Sequence, residues 1–173
     1  MAAIKVISFD LDNTLWDVDE VMVEATRVQH QWLADNRPRV VEQFNPRQLF
    51  DFKQALVRDR PELRHNISEL RIQALRGAQL AAGYSESEAE SGAREAFTQV
   101  LEARHRVVYF DHALDVLAEL AEQYMLIALS NGNADVYRLE VGQFFHAAIR
   151  AEQHGTSKPD PTLFHAEIGR AHV

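Results

Sequence analysis

The chain of 173 residues contains no cysteine, which excludes disulfide bonds, thiolate metal sites and a cysteine nucleophile. It also has no run of about 18 apolar residues, the length that a membrane-spanning helix needs. Its first ten residues lack the basic flank and long apolar stretch of a secretory signal. These absences predict a cytoplasmic protein with no membrane partner.

Positive charge is scarce as well. The 18 Lys and Arg residues face 26 Asp and Glu residues, which leaves a net charge of −8, and no basic patch interrupts this excess. Such a chain repels a nucleic-acid backbone, so we expect no nucleic-acid partner. An anionic substrate would depend on a local cation, either a well-placed Lys or Arg or a bound metal ion. The sequence leaves the oligomeric state open.

The apolar pattern predicts one strand followed by almost a hundred helical residues. Residues 4–9 form a β-branched and aromatic run that is typical of a buried strand. Apolar residues then recur at steps of three and four, which predicts helices over residues 18–35, 46–58, 67–82 and 85–106. Ser85 and Glu88 predict a capping box for the last of these, and Gly83 predicts the end of the one before it.

Strand and helix alternate again in the second half of the chain. We expect a helix capped by Asp111, a strand over residues 125–129, a short helix near residues 134–141 and a strand over residues 147–151. Pro161 suits the first turn of a last helix. This order predicts an α/β fold, a Rossmann-like parallel sheet with helices on its faces and an inserted all-α unit.

Polar residues follow each predicted strand. Asp10 and Asp12 come after the first, Ser130 and Asn131 after the second, and Lys158 lies in the turn after the third. Each cluster alone is typical of turn and capping chemistry. Ligands of open parallel sheets bind beyond the carboxyl ends of the strands, so their joint occurrence predicts one site there.

The residue types in these clusters suit phosphoryl transfer. A phosphate monoester resists attack by an anion, so catalysis needs a cation and a nucleophile held in line. Asp10 can be that nucleophile, and Asp12 can protonate the leaving alkoxide and then activate water. Lys158 and Mg²⁺ would keep Asp10 ionised beside Asp12. Ser130 and backbone N–H groups near Asn131 can hold the phosphoryl oxygens.

Three stretches of sequence resemble motifs of the haloacid dehalogenase-like (HAD) hydrolase superfamily. They are Phe9-Asp10-Leu11-Asp12-Asn13-Thr14-Leu15, Ser130-Asn131-Gly132-Asn133 and Ser157-Lys158-Pro159-Asp160-Pro161. The resemblance implies catalytic Asp10, Asp12 and Lys158, a substrate-binding set of Ser130, Asn131, Gly132 and Lys158, and Mg²⁺ bound by the Asp10 side chain and the Asp12 carbonyl. It also implies a core of residues 1–16 and 109–166 and a helical cap of residues 17–108 that selects the substrate.

A narrower resemblance concerns the substrate. The first two motifs, with a cap of this length, are similar to those of bacterial phosphatases that act on flavin mononucleotide and on a riboflavin-pathway intermediate. The expected partner is therefore a small phosphorylated metabolite.

The resemblance fails near the carboxyl terminus. The superfamily has a fourth motif, an acidic Gly-Asp cluster after a fourth strand, that completes the Mg²⁺ site, and we find no match to it here. Residues 167–173 can be encoded by a nucleotide sequence that resembles a sequencing adapter. We expect native sequence to stop near Ala166 and residues 167–173 to be non-native.

Four other functions compete with the phosphatase. A 2-haloacid dehalogenase of the same superfamily needs the first aspartate but no proton donor two residues later, so Asp12 argues against it. A phosphomutase shares all the motifs. A phospho-receiver domain also gathers acids and a Lys-Pro at strand ends, but it is compact and lacks a large helical insertion. The chain can also be an inactive fragment that lacks the fourth motif.

Other polar and aromatic residues have simpler interpretations. An aromatic residue beside a strand end, such as Trp16, packs between domains more often than it contacts substrate. Arg64, Arg71 and Arg76 in the helical region can grip a second phosphate, but solvated helix faces explain them better. The eight histidines show no metal-ligand spacing.

Overall fold

The computed structural model of the chain describes residues 4–170, with side chains described as far as residue 165. It divides into two compact units. One comprises the residues up to Asp19 together with those from Val107 onward, and the other is Glu20–Arg106. The second unit begins three residues after the start of the predicted cap, residues 17–108, and ends two residues before its end. The roles of the units as core and cap stay predictions.

The first unit is built on a parallel sheet of three strands in the order β1-β2-β3. The strands are β1 (Val6–Phe9), β2 (Met125–Ser130) and β3 (Ala147–Arg150). Phe9 pairs with Ala128, and Ser130 pairs with Arg150. The predicted parallel α/β arrangement is confirmed.

Two helices accompany the sheet, α6 (Ala113–Ala121) and α7 (Pro161–Arg170). Leu163 of α7 packs with Ile127, Leu129 and Ile149 on one face of the sheet. Because side chains alternate along a strand, Leu126 and Ala128 point to the other face. Burial on both faces explains why β2 is a continuous apolar run.

The second unit contains the greater part of α1 (Val18–Asn36) and the helices α2 (Pro38–Gln43), α3 (Pro46–Asp59), α4 (Ile67–Ala81) and α5 (Glu86–Arg104). Its main core joins α1, α2, α4 and α5 through Leu33, Val40, Leu75 and Ala93, among others. Small alanines on α4 and α5 allow these two helices to approach closely. Within the described residues, no helix is long and apolar enough to cross a membrane.

The predicted helix boundaries hold in this unit. Ser85 accepts the Glu88 N–H, and Glu88 bonds back to Ser85 N, so the predicted capping box is present. Gly83 follows the end of α4 with a φ of 80°, a conformation that glycine adopts without strain. The short α2 lies between the predicted helices over residues 18–35 and 46–58 and was not expected, and Pro38 is its first residue.

Two predictions in the other unit are wrong. Asp111 does not cap α6, since the N-cap is His112, which has a φ of 64° and caps with no side-chain hydrogen bond. The helix expected near residues 134–141 is a pair of 3₁₀ turns, Val136–Arg138 and Glu140–Phe144. The prediction of a non-native tail concerns residues 167–173, of which 171–173 lie outside the described residues and 167–170 are described only as α7 backbone.

Candidate active site

Asp10 follows β1 directly, at the carboxyl end of the strand. Its Oδ1 accepts the backbone N–H of Leu11 at 2.8 Å and lies 2.8 Å from Nζ of Lys158. Among the described residues, none donates a hydrogen bond to its Oδ2. The side chain is 46% exposed. One oxygen is thus held by the protein while the other is left for a ligand.

Lys158 is fixed at both its side chain and its backbone. Its Nζ donates to the carbonyl of Leu129 at 2.7 Å in addition to its ion pair with Asp10. Its backbone N–H donates to Oδ1 of Asn131 at 2.8 Å, and its carbonyl accepts from Nδ2 of Asn131 at 3.3 Å. The ammonium group therefore bridges the carboxyl ends of β1 and β2.

Ser130 is the last residue of β2 and is buried. Its Oγ accepts the N–H of Gly132 at 2.9 Å, which leaves the hydroxyl hydrogen to be donated elsewhere. Ser130 follows Leu129, whose carbonyl binds Lys158, so the serine lies beside the lysine's attachment point. No described contact joins the Ser130 side chain to Asp10 itself.

Asn131 has a position that the sequence did not reveal. It was predicted to bind substrate, yet both ends of its amide bond the backbone of Lys158. Its side chain is therefore a tether for the lysine, and only its main chain is left to meet a ligand. Because the two residues are 27 positions apart, no local pattern could indicate this pairing.

Asp12 lies in the turn after Asp10, and its Oδ1 accepts the indole N–H of Trp16 at 2.9 Å. Trp16 is fully buried and packs edge-on against Tyr109, with 6.0 Å between ring centroids. This agrees with packing rather than solvent-facing contact for Trp16. The hydrogen bond was not predicted from the sequence, where the four-residue spacing is the only signal for it.

The turn itself explains how two acids are presented together. The N–H groups of Thr14 and Leu15 both bond the carbonyl of Leu11, which closes the chain tightly after β1. Asn13 has a φ of 57°, a left-handed conformation that asparagine tolerates better than most residues. Its Oδ1 accepts the N–H of Val18, the first residue of α1. Asn13 thus ends the turn and satisfies the first N–H group of the following helix.

The donors at this turn suit a hard cation. In the described part of the chain, no three or more His, Asp or Glu side chains gather as a metal cluster. Mg²⁺, however, is commonly held by one or two carboxylates, water and substrate phosphate. The Asp10 carboxylate, with Oδ2 unengaged by described residues, and the main-chain carbonyl of Asp12 provide oxygen ligands of that kind. The residues present therefore fit Mg²⁺.

Asp160, in the third motif, has a local role. Its Oδ1 accepts the N–H of Thr162 at 2.8 Å, at the start of α7. The cluster thus combines a held carboxylate at Asp10, a second carboxylate at Asp12 and one anchored ammonium at Lys158. The catalytic, substrate-binding and metal roles of these residues stay predictions.

Comparison with known proteins agrees with this geometry. The family model described as haloacid dehalogenase-like hydrolase matches residues 4–172. The chain is 31% identical over 164 residues to 5-amino-6-(5-phospho-D-ribitylamino)uracil phosphatase YigB of Escherichia coli (strain K12). That match covers 95% of this chain and 68% of the relative.

Solved structures also resemble the chain. A 2-haloacid dehalogenase from Pseudomonas syringae pv. Tomato DC3000 is 37% identical, with a TM-score of 0.94 over 99% of this chain and 74% of that one. A predicted phosphoglycolate phosphatase from Haemophilus somnus 129pt shares the fold at 17% identity, with a TM-score of 0.61 over 100% of this chain and 74% of its own. The family match spans nearly all of the sequence and includes all three motifs, so the chain belongs to the haloacid dehalogenase-like hydrolase family.

Proposed function

We propose that this protein hydrolyses phosphate monoesters of small metabolites, with Asp10 as the nucleophile. The observation that carries the proposal is the ion pair of 2.8 Å between Asp10 and Lys158, with a second carboxylate two residues later. In a chain with a net charge of −8, an anionic substrate needs such a local cation. Lys158 supplies it beside the attacking group.

In the first step, the carboxylate of Asp10 attacks phosphorus, and the bond from phosphorus to the ester oxygen breaks. Asp12 gives its proton to the departing alkoxide. Trp16 donates its indole N–H to Oδ1 of Asp12 and so orients this carboxyl group. Lys158 stays against Oδ1 of Asp10 and offsets the negative charge that gathers around it.

In the second step, Asp12 takes a proton from a water molecule that attacks the same phosphorus. The bond from phosphorus to Asp10 breaks, inorganic phosphate leaves, and the Asp10 carboxylate is restored. Asp12 ends the cycle protonated, ready for the next leaving group. Atoms and charges balance with water as the only co-substrate.

The phosphoryl oxygens are proposed to bind at the end of β2. The Ser130 hydroxyl hydrogen and the backbone N–H of Asn131 are the donors there, beside the lysine's anchor at Leu129. Gly132 gives its N–H to Ser130 Oγ, so it orients the serine in this arrangement. Mg²⁺, held by Asp10 and Asp12, would neutralise charge on the phosphoryl group when bound.

Sugar-alcohol phosphates are the favoured substrate class. YigB, 31% identical over most of this chain, is named for a phosphorylated ribityl compound. We therefore propose the phosphate esters of ribityl compounds, including flavin mononucleotide, as the first substrates to test. Because the sequence contains no cysteine, we also propose that the enzyme works in the reducing environment of the cytoplasm.

A second candidate activity has its own support. The P. syringae protein, at 37% identity, is named as a 2-haloacid dehalogenase. In that chemistry an aspartate displaces halide from carbon, and no alkoxide needs a proton. Asp12, held by the buried Trp16, would then have no assigned role, and for this reason we favour the phosphatase.

One assay separates the two activities. The chain is incubated with 5-amino-6-(5-phospho-D-ribitylamino)uracil, flavin mononucleotide or 2-chloropropionate, with Mg²⁺ or with EDTA, and phosphate and chloride release are measured. We expect Mg²⁺-dependent phosphate release that Asp10→Asn abolishes. Chloride release without phosphate release would refute the proposal in favour of the dehalogenase, and activity that survives Asp10→Asn would refute the nucleophile.

A further inference from the structure

Lys158 lies on a loop that the core of its unit holds at the two ends. Ala151 before the loop and Leu163 after it are buried in the cluster on one face of the sheet. Between them, residues 152–162 are exposed or half-buried. Loops with few buried contacts are the more mobile parts of a fold. The ammonium of Lys158 nevertheless lies 2.8 Å from Asp10.

Hydrogen bonds within the loop set its local shape. The N–H of His154 bonds the carbonyl of Ala151, and the N–H of Asp160 bonds that of Ser157. Such bonds close single turns, but they do not fix the loop relative to β1 and β2. Contacts from the sheet to the loop are needed for that.

Asn131 makes two such contacts, and both go to the backbone of Lys158. Its Oδ1 accepts the Lys158 N–H at 2.8 Å, and its Nδ2 donates to the Lys158 carbonyl at 3.3 Å. One planar amide thus engages the donor and the acceptor of a single residue, which fixes the orientation of that residue as well as its position. Asn131 directly follows β2, and the register of the sheet places β2 beside β1.

The ammonium group depends on this placement. Nζ of Lys158 reaches the carbonyl of Leu129 at 2.7 Å and Oδ1 of Asp10 at 2.8 Å, so it contacts the ends of two strands. A lysine stem is flexible, so the ammonium keeps both contacts only while the backbone that carries it is fixed. A catalytic group displaced by about 1 Å can lose roughly 10²-fold in rate.

We propose that Asn131 is the positioning residue of Lys158. Its side-chain amide holds the lysine backbone so that the ammonium stays between Leu129 and Asp10, while its main-chain N–H meets the phosphoryl group. The effect on turnover rests on the proposed function, whereas the effect on the lysine itself does not. Asn131 is exposed, so replacing it with alanine should leave the fold intact and disturb the lysine.

Steady-state kinetics of Asn131→Ala test the effect on turnover. Alanine keeps the main-chain N–H at position 131 and removes only the amide. We expect kcat for a phosphate monoester to fall by about 10–100-fold, with KM changed by less than about threefold. An unchanged kcat, with or without a raised KM, would overturn the proposal.

A double-mutant cycle with Lys158→Met shows whether Asn131 acts through the lysine. If it does, Asn131→Ala should lower kcat by less than about threefold once the ammonium is gone. The same loss in both backgrounds would mean that the amide acts on the substrate directly, which contradicts a positioning role. Asn36→Ala is the matched control, because this exposed amide also donates to a backbone carbonyl, that of Trp32 at 2.9 Å. It should leave kcat unchanged.

Competitive acetylation provides a readout that needs no activity. The chain has three lysines, Lys5, Lys53 and Lys158, so peptide mass spectrometry can follow each one. Lys5 is exposed and serves as the internal reference. In the parent, Lys158 should react more slowly than Lys5, because its Nζ is held against two oxygens and its side chain is 19% exposed. Asn131→Ala should raise the rate of Lys158 relative to Lys5 by at least about threefold, and Asn36→Ala should not.

The two readouts separate the two failures. If the parent releases no phosphate from any ester but Lys158 becomes reactive in Asn131→Ala, the proposed function is wrong and the positioning role stands. If the rate of Lys158 relative to Lys5 is the same in the parent and in Asn131→Ala, with folding verified by circular dichroism, the positioning role is wrong whatever the enzyme turns over.

Discussion

Replacing Lys158 with methionine tests the electrostatic part of the active-site account. Methionine keeps an unbranched apolar stem and removes only the ammonium. In the structure this group lies 2.8 Å from Oδ1 of Asp10. At that distance a pair of unit charges interacts by roughly 1.5 kcal/mol in water and about 6 kcal/mol in a medium of dielectric constant 20. Because the Asp10 side chain is 46% exposed, the lower part of this range applies to the resting state.

The effect on the transition state should be larger. Loss of one preorganised donor at a developing charge typically lowers kcat by about 10²–10³, or roughly 3–4 kcal/mol. We therefore expect Lys158→Met to lower kcat/KM for phosphate monoesters by about 10²–10³. Lys158→Arg, which keeps the charge but changes the donor geometry, should recover part of the loss.

Stability provides a separate measurement on the same variant. The carbonyl of Leu129, in a residue that is 1% exposed, loses its donor at 2.7 Å. A buried acceptor left without a partner costs about 1–3 kcal/mol, so the free energy of unfolding should fall by that order while the variant stays folded.

Lys5→Met is the matched control for these measurements. Lys5 is exposed and precedes β1, at the end of the strand opposite to Asp10. The assay is steady-state phosphate release at saturating Mg²⁺, with circular dichroism to verify folding. A loss below about threefold in folded Lys158→Met, or an equal loss in Lys5→Met, would refute the role of the ammonium.

Three further predictions concern other residues. Trp16→Phe removes the indole N–H that holds Oδ1 of Asp12 at 2.9 Å, so kcat should fall about tenfold while KM changes little; an unchanged kcat would contradict this positioning role. Ser85→Ala removes the capping box of α5 and should lower the free energy of unfolding by about 1 kcal/mol in denaturant titration, whereas the exposed Ser87→Ala should change it little. Burial raises the pKa of Tyr109 above its ordinary value near 10, so its contribution to stability is intact below pH 10 and is lost as pH rises through the folded-state pKa. Tyr109→Phe should therefore reduce the fall in the free energy of unfolding above pH 10, and an unchanged alkaline slope would show that Tyr109 does not cause that fall.

Much of the fold follows from local patterns. The helical periodicity and the capping signals at Ser85 and Gly83 predicted the elements of the second unit, because those signals act within a few residues. Pro38 shows the limit of such reasoning. The same residue can end one helix or begin another, and the choice depends on where Val40 packs.

The candidate site was partly predictable. The contact between Asp10 and Lys158 follows from the rule that carboxyl ends of parallel strands share one edge. The tether from Asn131 to the lysine backbone and the bond from Trp16 to Asp12 depend on side-chain directions that no periodicity reveals. Arg71 was expected on a solvated helix face. Its exposure depends on which helices surround α4, and only the folded unit determines that.

The central claim is that Asp10 becomes phosphorylated, and a chemical trap tests it most directly. The chain is mixed in molar excess with a phosphate monoester that it turns over, quenched within milliseconds and treated with borohydride, which reduces an aspartyl-phosphate to homoserine. Peptide mass spectrometry should then find homoserine at position 10 and unchanged aspartate at position 12. Turnover of the ester with an unmodified Asp10, or with the reduction at Asp12, would contradict the account.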